Sequence, residues 1–239
     1  MEWMKRLLVN TFGAVTFFIK YKKHVYMIPV AFLLAASLIV FITAATGHLF
    51  KASGNEAPID LQPREYDISG TTIVLDPGHG GKDPGATSAS GITEDEIVYR
   101  LAGQLKEELE RHGAEVLLTR EQDTFASLDA RKVEGDLFIS LHSDAMDDPS
   151  VTGFTTYYTY PHQKKFAETL NNALDTRSYF RNRGVHSMNY QVTWQLDYPA
   201  VLVELGYLSN ELDDRILLTS HYQELMVQGL TDGIVEYLK

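Results

Sequence analysis

The distribution of hydrophobic and polar positions divides the chain into four consecutive parts. Residues 25–46 carry no charged side chain, and a helix of 22 residues reaches about 33 Å, enough to cross a lipid bilayer. The residues that follow, up to residue 70, mix glycine, proline and charged residues without an apolar period, which is typical of a linker. The pattern therefore predicts a basic head at residues 1–24, a transmembrane anchor at 25–46, a linker at 47–70 and one folded domain at 71–239.

The charges around the apolar segment predict its orientation. Residues 1–24 contain five basic residues and one acidic residue, and basic segments of this kind stay on the cytoplasmic side of a membrane. We therefore expect a single-pass protein of the cell membrane with its folded domain outside the cell. The alternative is a secreted domain released from a cleaved signal peptide, although residues 25–46 exceed the apolar length of about 7–15 residues that is usual there.

Within residues 71–239, short apolar runs alternate with longer segments of helical period. The apolar runs predict strands at residues 71–75, 115–119, 136–141, 153–158 and 200–204. Helices are predicted at residues 94–111, 126–134, 162–176 and 213–238, the last in one or two pieces. This alternation predicts an α/β fold, namely a mainly parallel twisted sheet flanked by helices on both faces and preceded by an N-terminal transmembrane helix. In such sheets, functional sites gather at the carboxyl ends of the strands.

The composition limits the chemistry that is available to the domain. The chain has no cysteine, which excludes disulfides, a cysteine nucleophile and thiolate-bound metal centres. Any metal site must therefore use histidine and carboxylate side chains. The formal net charge is −11 although residues 1–24 are net basic, so the folded domain is strongly acidic. Because an acidic domain repels phosphate backbones, no nucleic-acid partner is expected.

Two of the eight histidines follow predicted strands directly. His79 comes after the strand at 71–75, and His142 comes at the end of the strand at 136–141. A single histidine at a strand end is more often a hydrogen-bonded structural residue, whereas two at equivalent ends of a parallel sheet favour a pair of metal ligands. The positions favour the pair of ligands without excluding two structural histidines.

Two acidic residues at strand ends are each open to two interpretations. Glu204 stands among valine and leucine residues, where an unsatisfied carboxylate is unfavourable. It is either paired with an arginine such as Arg183 or placed beside a metal-bound water. Asp76 either orients His79 or caps the turn before it. The glycine-rich stretch after Asp76 lacks the pattern of a phosphate-binding loop, which needs glycine at position 76 and serine or threonine in place of Asp83. Its glycines are therefore expected to let the backbone turn tightly.

Several segments carry a resemblance to a known family, in the order and spacing of that family. The four main ones are VLDPGHGGKDPGA (74–86), GITEDE (91–96), FISLHSDA (138–145) and PAVLVELGYLSN (199–210). Together with TREQDTFASLDAR and RNRGV, they resemble the zinc-dependent N-acetylmuramoyl-L-alanine amidases of peptidoglycan, the type-3 amidase family. The resemblance covers residues 71–238, with one departure at Val98 and Tyr99, where the family usually has asparagine and leucine.

The resemblance implies a function and a set of site residues. It implies an enzyme that binds Zn²⁺ and hydrolyses the amide bond between N-acetylmuramic acid and L-alanine in peptidoglycan, in cell-wall remodelling or lysis. It further implies that His79, Glu94 and His142 bind the zinc ion. By the same resemblance, Glu204 is the catalytic carboxylate, which acts as general base and general acid.

The acidic run at residues 94–96 contains three side chains whose positions predict different roles. Thr93 and Glu96 have the spacing of a capping box, in which the glutamate side chain returns to the backbone at the helix start. Glu94 then occupies the first helical position, from which its side chain can reach the strand ends. Asp95 is expected to face solvent.

Two other functions remain compatible with the same residues. A zinc peptidase would cut within the stem peptide with the same metal ligands and a different pocket. A wall-binding module would keep the fold without turnover. The expected partners are peptidoglycan and the membrane, the latter through residues 25–46, and an unidentified regulatory protein is left open.

Overall fold

The computed structural model describes residues 65–239. The predicted head, the predicted anchor and most of the predicted linker lie outside this part of the chain. Among residues 65–239, no helix combines the length and the apolar composition that are needed to cross a membrane. The predictions made for residues 1–24 and 25–46 therefore stay predictions.

The described residues form a six-stranded sheet with helices packed against it. The strands are β1 (Thr72–Pro77), β2 (Glu115–Leu118), β3 (Leu137–Asp144), β4 (Phe154–Tyr158), β5 (Asn182–Ser187) and β6 (Ala200–Tyr207). The helices are α1 (Glu94–Arg111), α2 (Lys164–Asp175), α3 (Gln191–Trp194), α4 (Glu211–Leu217) and α5 (Ser220–Leu238). Single 3₁₀ turns lie at Asp129–Arg131 and Pro161–Gln163.

The order of strands in the sheet is β2-β1-β3-β6-β4-β5. Every pairing in this sheet is parallel except that of β4 with β6, which is antiparallel. The prediction of a mainly parallel sheet is therefore confirmed. The carboxyl ends of β1, β3 and β6 lie side by side, and β4 and β5 begin at this same edge because they run in the opposite direction.

The inner strands bury side chains on both faces of the sheet, as alternation along a strand requires. One face packs against α1, α2 and α5 in the larger hydrophobic cluster. On the other face, Val74, Phe138 and Leu202 pack with Val192 of α3 and with Leu196. Helices flank the sheet as predicted, but in the described part of the chain the second face carries a helix of only four residues.

The second, thinly covered face is the one from which Asp76, His142 and Glu204 emerge, whereas His79 lies in the turn after β1 and Glu94 begins α1. Asp76 lies two residues after Val74 on β1, and Glu204 lies two residues after Leu202 on β6. His142 lies four residues after Phe138 on β3, so its side chain leaves the same face of the sheet. Among residues 65–239, the only helix in the cluster on this face is the four-residue α3.

The predicted elements differ from the structure at three places. The stretch at residues 126–134 forms only the single turn at Asp129–Arg131 instead of a longer helix. The sequence pattern also predicts neither β5 nor α3. β5 has the sequence NRGVHS and lies at the edge of the sheet, and a polar edge strand leaves no periodic apolar signal. α3 is one turn long, which is too short to show a helical period.

Candidate metal centre

His79 lies in a tight turn directly after β1. Its backbone is left-handed, with φ of 59°, a conformation that few residues other than glycine adopt. Gly80 and Gly81 continue the turn with φ of 119° and 60°. A side chain at Gly78 would place its Cβ 2.3 Å from Cε1 of His142. The glycines therefore allow the turn to pack directly on the second histidine.

The structure brings the three predicted ligands together. Nε2 of His79 lies 3.1 Å from Oε2 of Glu94, and Nδ1 of His142 lies 2.9 Å from Oε1 of Glu94. The centroids of the two imidazole rings are 5.0 Å apart. One ligand atom from each of the three residues lies within 4.8 Å of the others, so the group can hold a metal ion. Two imidazoles and one carboxylate, with a fourth position left open, are typical of catalytic zinc sites.

Glu94 is the first residue of α1, as predicted, and is 4% exposed. Its Oε2 accepts a hydrogen bond from the backbone N–H of Ala86, and its Oε1 accepts one from Ser143, both at 3.0 Å. Although burial opposes ionisation, the hydrogen bonds with His142 and His79 lower the pKa of Glu94 below its ordinary value. The hydrogen bond to Glu94 raises the pKa of His79 against the opposing effect of burial. The cluster thus holds an ionised carboxylate between two imidazoles.

The capping box predicted at the start of α1 is wrong. Thr93 precedes the helix, but its side chain makes no capping hydrogen bond. The backbone amides of Glu94 and Asp95 instead donate to carbonyl oxygens in the loop at residues 84–86. Asp95 is half-buried and not in solvent, whereas Glu96 is exposed. Because the loop supplies the acceptors for the first turn, the helix start does not depend on a side-chain cap.

Asp83 is a site residue that the sequence reasoning misses. Its Oδ2 lies 3.0 Å from Nδ1 of His79, and its Oδ1 accepts a hydrogen bond from the backbone N–H of Gly85 at 3.2 Å. A proton on Nδ1 that is donated to Asp83 leaves Nε2, the nitrogen that faces Glu94, free to bind a metal. In the sequence, Asp83 is marked only by its position four residues after His79. The backbone pairing of Gly80 with Asp83, which closes the loop and brings the two side chains together, is visible only in the structure.

Asp76 takes neither of the two roles considered for it. It is fully buried, and its carboxylate accepts hydrogen bonds from Arg131 at 2.7 Å, from Ser140 at 2.7 Å and from Thr119. Arg131 also donates to the backbone carbonyl oxygen of His79 at 2.6 Å. Asp76 therefore stabilises the backbone of the turn through Arg131 and makes no hydrogen bond to the imidazole of His79.

Glu204 lies on β6 directly opposite His142 of β3. It is 8% exposed, and its Oε2 is buried without a hydrogen-bond partner among the described residues. Burial, reinforced by neighbouring acidic charges, raises the pKa of Glu204 well above its ordinary value. Within residues 65–239 it forms no ion pair with Arg183, whose guanidinium lies over the ring of Tyr207, 5.2 Å from the centroid. A buried carboxylate without a protein partner is expected at a site that binds something else.

A group of His, Glu and His beside a buried carboxylate, at the carboxyl edge of an α/β sheet, has the features of a metal-dependent hydrolase. Residues 73–236 match the family described as N-acetylmuramoyl-L-alanine amidase. The chain belongs to this family, which confirms the resemblance seen in its sequence motifs.

Individual relatives agree with this assignment. The chain is 41% identical over 182 residues to the probable cell wall amidase LytH of Staphylococcus epidermidis, across 75% of this chain and 62% of LytH. The catalytic domain of CwlV, an N-acetylmuramoyl-L-alanine amidase from Bacillus (Paenibacillus) polymyxa, is 32% identical with a TM-score of 0.68, across 70% of this chain and 98% of that one. The CwlD amidase from Clostridioides difficile, solved in complex with the GerS lipoprotein, is 28% identical with a TM-score of 0.65, across 70% of this chain and 98% of CwlD. The chain spans about 62% of the length of the curated relatives it matches.

Proposed function

We propose that this chain hydrolyses the amide bond between N-acetylmuramic acid and L-alanine in peptidoglycan. In this proposal His79, Glu94 and His142 hold a zinc ion, and Glu204 is the general base and acid. Membership of the amidase family supports the reaction. The observation that carries the assignment of residues is the convergence of the three ligand atoms within 4.8 Å, beside the unpartnered carboxylate of Glu204.

The residues present suit the chemistry of this reaction. An amide is stabilised by resonance and its amine is a poor leaving group, so the carbonyl must be polarised and the nitrogen must be protonated. Zinc, when bound, supplies Lewis acidity and lowers the pKa of water. Glu204 removes a proton from the attacking water and transfers it to the departing amine. Its raised pKa suits a carboxyl group that holds this proton between the two transfers. Asp83 keeps Nδ1 of His79 protonated, which orients the imidazole.

Turnover of purified sacculi tests the proposal. The wild-type chain is expected to release one new alanine N-terminus for each bond it cleaves and to stop when a chelator is added. Glu204→Gln is expected to keep zinc and to lose about 10²–10⁴-fold in activity, the usual contribution of general acid–base catalysis. His79→Ala is expected to lose both zinc and activity. A Glu204→Gln protein without zinc would make Glu204 a ligand and would overturn the assignment.

The same assay separates the other two functions. A zinc peptidase would produce N-termini from within the stem peptide and none from the alanine that joins the peptide to the glycan. A wall-binding module would bind sacculi without releasing any new N-terminus. The match of residues 73–236 to the amidase family favours the amidase over both.

We also propose the domain organisation predicted from the sequence. Residues 71–239 form the catalytic domain, which a single-pass anchor at 25–46 holds outside the cell, with a cytoplasmic head at 1–24 and a linker at 47–70. The description of relatives as cell wall amidases supports the outer location. The full 26.9 kDa chain is expected in the membrane fraction, with its domain open to external protease. A soluble form that starts near residue 46 would show a cleaved signal peptide instead.

The regulatory protein that the sequence leaves open is likewise a proposal. The presence of a lipoprotein in the CwlD complex supports a search for such a partner. The measurement compares the turnover of sacculi by the purified chain with its turnover after addition of detergent-solubilised membranes from the source cells. A rate that the extract does not raise would argue against an obligatory activator.

A further inference from the structure

The segment RNRGV, residues 181–185, plays no part in the proposed reaction, yet it lies next to the site. His142, Glu204 and Thr155 are register partners across β3, β6 and β4. Arg183 lies in a β-bulge of β5 opposite Thr155, because the pairing of β4 with β5 shifts at this point. A line across the sheet therefore runs from a proposed metal ligand through Glu204 to Arg183.

Buried contacts hold this bulge in place. Asn171, 3% exposed, accepts a hydrogen bond from Asn182 at 2.8 Å and donates one to the carbonyl oxygen of Gly184 at 3.4 Å. The backbone N–H of Gly184 donates to Oδ1 of Asn182 at 2.7 Å, and Gly184 has φ of 92°. A Cβ at Gly153 would lie 2.8 Å from Cγ of Arg183, so the backbone just before β4 closely supports the stem of this arginine. The position of Arg183 is thus determined by the fold.

Arg183 lines a groove of about 410 Å³ over β4 and β5, and Thr155 in this lining pairs with Glu204 across the sheet. The other lining residues are Thr155, Tyr157, Arg181, Asn182 and His186. This lining is basic, with two arginines and no acidic residue, in a chain whose net charge is −11. Within residues 65–239, neither arginine forms an ion pair with a carboxylate. The groove therefore presents positive charge that no carboxylate of the described residues pairs with directly, and it includes Thr155, the register partner of Glu204.

The chemistry of the proposed substrate indicates what this charge can bind. The substrate has a glycan half and a peptide half, joined by the amide bond that is cleaved. The lactyl carboxyl group of the muramic acid forms this amide, so any free carboxylate near the bond belongs to the peptide half. β5 lies two strand spacings from β6, about 10 Å. An extended peptide advances about 3.3–3.6 Å per residue, so a peptide that leaves Glu204 toward β5 brings the carboxylate of its second or third residue to Arg183. A guanidinium binds a carboxylate through two parallel hydrogen bonds.

We propose that Arg183, supported by Arg181, binds a carboxylate of the peptide half of the substrate and directs the peptide across β4 toward β5. The glycan half then lies on the opposite side, toward the turn that carries His79. This inference rests on the proposed amidase function.

Asp144, at the end of β3, is near enough for its charge to interact with Arg183, but the two form no ion pair. One guanidinium nitrogen of Arg183 donates to the carbonyl oxygen of Thr152 at 3.4 Å, and the group lies over the ring of Tyr207. Its other N–H groups are available to a carboxylate of the substrate.

Two synthetic substrates test the inference with the zinc-loaded full chain. One is an N-acetylmuramoyl tripeptide with free carboxylates, and the other is the same compound with carboxamides in their place. The wild type is expected to prefer the first by about 10–100-fold in kcat/KM, the usual worth of a charge-assisted hydrogen-bonded pair. Arg183→Gln is expected to lose this preference through a higher KM for the acidic substrate, and Arg183→Lys is expected to keep part of it. Arg215→Gln, on an exposed arginine of α4, is the matched control and leaves both values unchanged.

The outcomes separate this inference from the function on which it rests. If the wild type cleaves both substrates with equal kcat/KM, the amidase function stands and the carboxylate site is overturned. If it cleaves neither, the amidase function and the carboxylate site are overturned together. If Arg183→Gln lowers kcat/KM equally for both substrates, Arg183 supports the fold or the chemistry in general and does not recognise a carboxylate. Zinc content and melting temperature, measured on every variant, show that the comparison is made between folded, loaded proteins.

Discussion

His142 and Glu204 occupy paired positions on the adjacent parallel strands β3 and β6. Their side chains leave the same face of the sheet, and their Cα atoms are separated by about 4.8 Å, one strand spacing. The distance between His142, a proposed ligand, and Glu204, the proposed base, is therefore set by the hydrogen bonds between the two strands. It does not depend on a flexible loop. This explains how Glu204 stays beside the metal centre although its Oε2 has no partner among the described residues.

The first prediction concerns the stability of the metal-free protein. Burial raises the pKa of Glu204 in the folded state, so folding opposes its ionisation. The group has no such effect below its unfolded pKa of about 4.3. Its destabilising effect grows as the pH rises from that value to the raised pKa of the folded state, and it is constant above the latter. Glu204→Gln is therefore expected to raise the free energy of unfolding by about 1–3 kcal/mol at pH 7 and to have little effect near pH 4. Urea unfolding in the presence of a chelator measures this, and an equal effect at both pH values would contradict it.

The second prediction distinguishes two neighbouring acids. Glu94→Gln removes the anionic ligand without changing its size, and it is expected to lose zinc on desalting. Glu96→Gln is the matched control, because Glu96 is exposed and makes no capping bond. It is expected to keep zinc and to change the free energy of unfolding by less than about 0.5 kcal/mol. Zinc stoichiometry decides, and a Glu94→Gln protein that binds zinc as the wild type does would place the third ligand elsewhere.

The third prediction concerns the turn before His79. In Gly78→Ala, the new Cβ would lie 2.3 Å from the ring of His142, so the imidazole must move. We expect loss of zinc affinity and of activity. Gly103→Ala is the control, since a Cβ there meets no atom within 4 Å and lies in α1, where alanine is favoured over glycine by about 0.5–1 kcal/mol. The control is expected to be fully active and slightly more stable, and a zinc affinity of Gly78→Ala equal to that of the control would refute the prediction.

The fourth prediction concerns the orientation of His79. Asp83→Asn replaces the carboxylate that faces Nδ1 at 3.0 Å. Partners of this kind usually change metal affinity by about 10–100-fold, so we expect a weaker zinc affinity with full occupancy at high zinc concentration. Asp147→Asn, at an exposed position after β3, is the matched control. Competition with a chromogenic chelator measures the affinity, and identical values for both variants would remove Asp83 from the metal centre.

The fifth prediction concerns the buried ion pair under the turn. Arg131→Met leaves the carboxylate of Asp76 buried without its charged partner. Loss of one member of a buried pair usually costs about 3–5 kcal/mol. Arg215→Met breaks an exposed pair with Glu211, which is worth about 0–1 kcal/mol. Chemical denaturation of the two variants is expected to show this difference, and comparable values would show that the buried pair contributes little.

The sequence predicts the strands that carry the core but not the edge of the sheet. β6 carries one charged residue, Glu204, among otherwise apolar or small residues, and β3 begins with an apolar run interrupted only by Ser140, so the positions of both strands follow from the sequence alone. β5 contains Arg183 and His186 and one aliphatic residue, and its place at the edge depends on polar contacts with the distant residue Asn171. The antiparallel direction of β4 is likewise invisible in the sequence, because a short apolar run has no signal for its direction.

The site was predictable in its ligands and less so in its supporting contacts. His79 and His142 are indicated by their positions at strand ends, and the resemblance adds Glu94 and Glu204. Asp83 escapes the sequence reasoning because its contact with His79 depends on a turn with left-handed residues. The capping box fails for a similar reason, since the loop at residues 84–86 satisfies the start of α1 and leaves Glu96 exposed.

Because β4 and β5 run opposite to the other strands, two kinds of segment border the site. One kind carries the proposed zinc ligands, and the other consists of loops that carry none. The proposed zinc ligands all come from the turn after β1, from α1 and from β3. The other border is formed by the connections that lead into β4 and β5, residues 145–153 and 176–181, because these strands begin where the others end. Insertions in these two connections can reshape the groove proposed for the peptide without moving an atom of the proposed ligands. Diversification toward different cell walls is therefore expected to start there, while the ligand-bearing border stays the same.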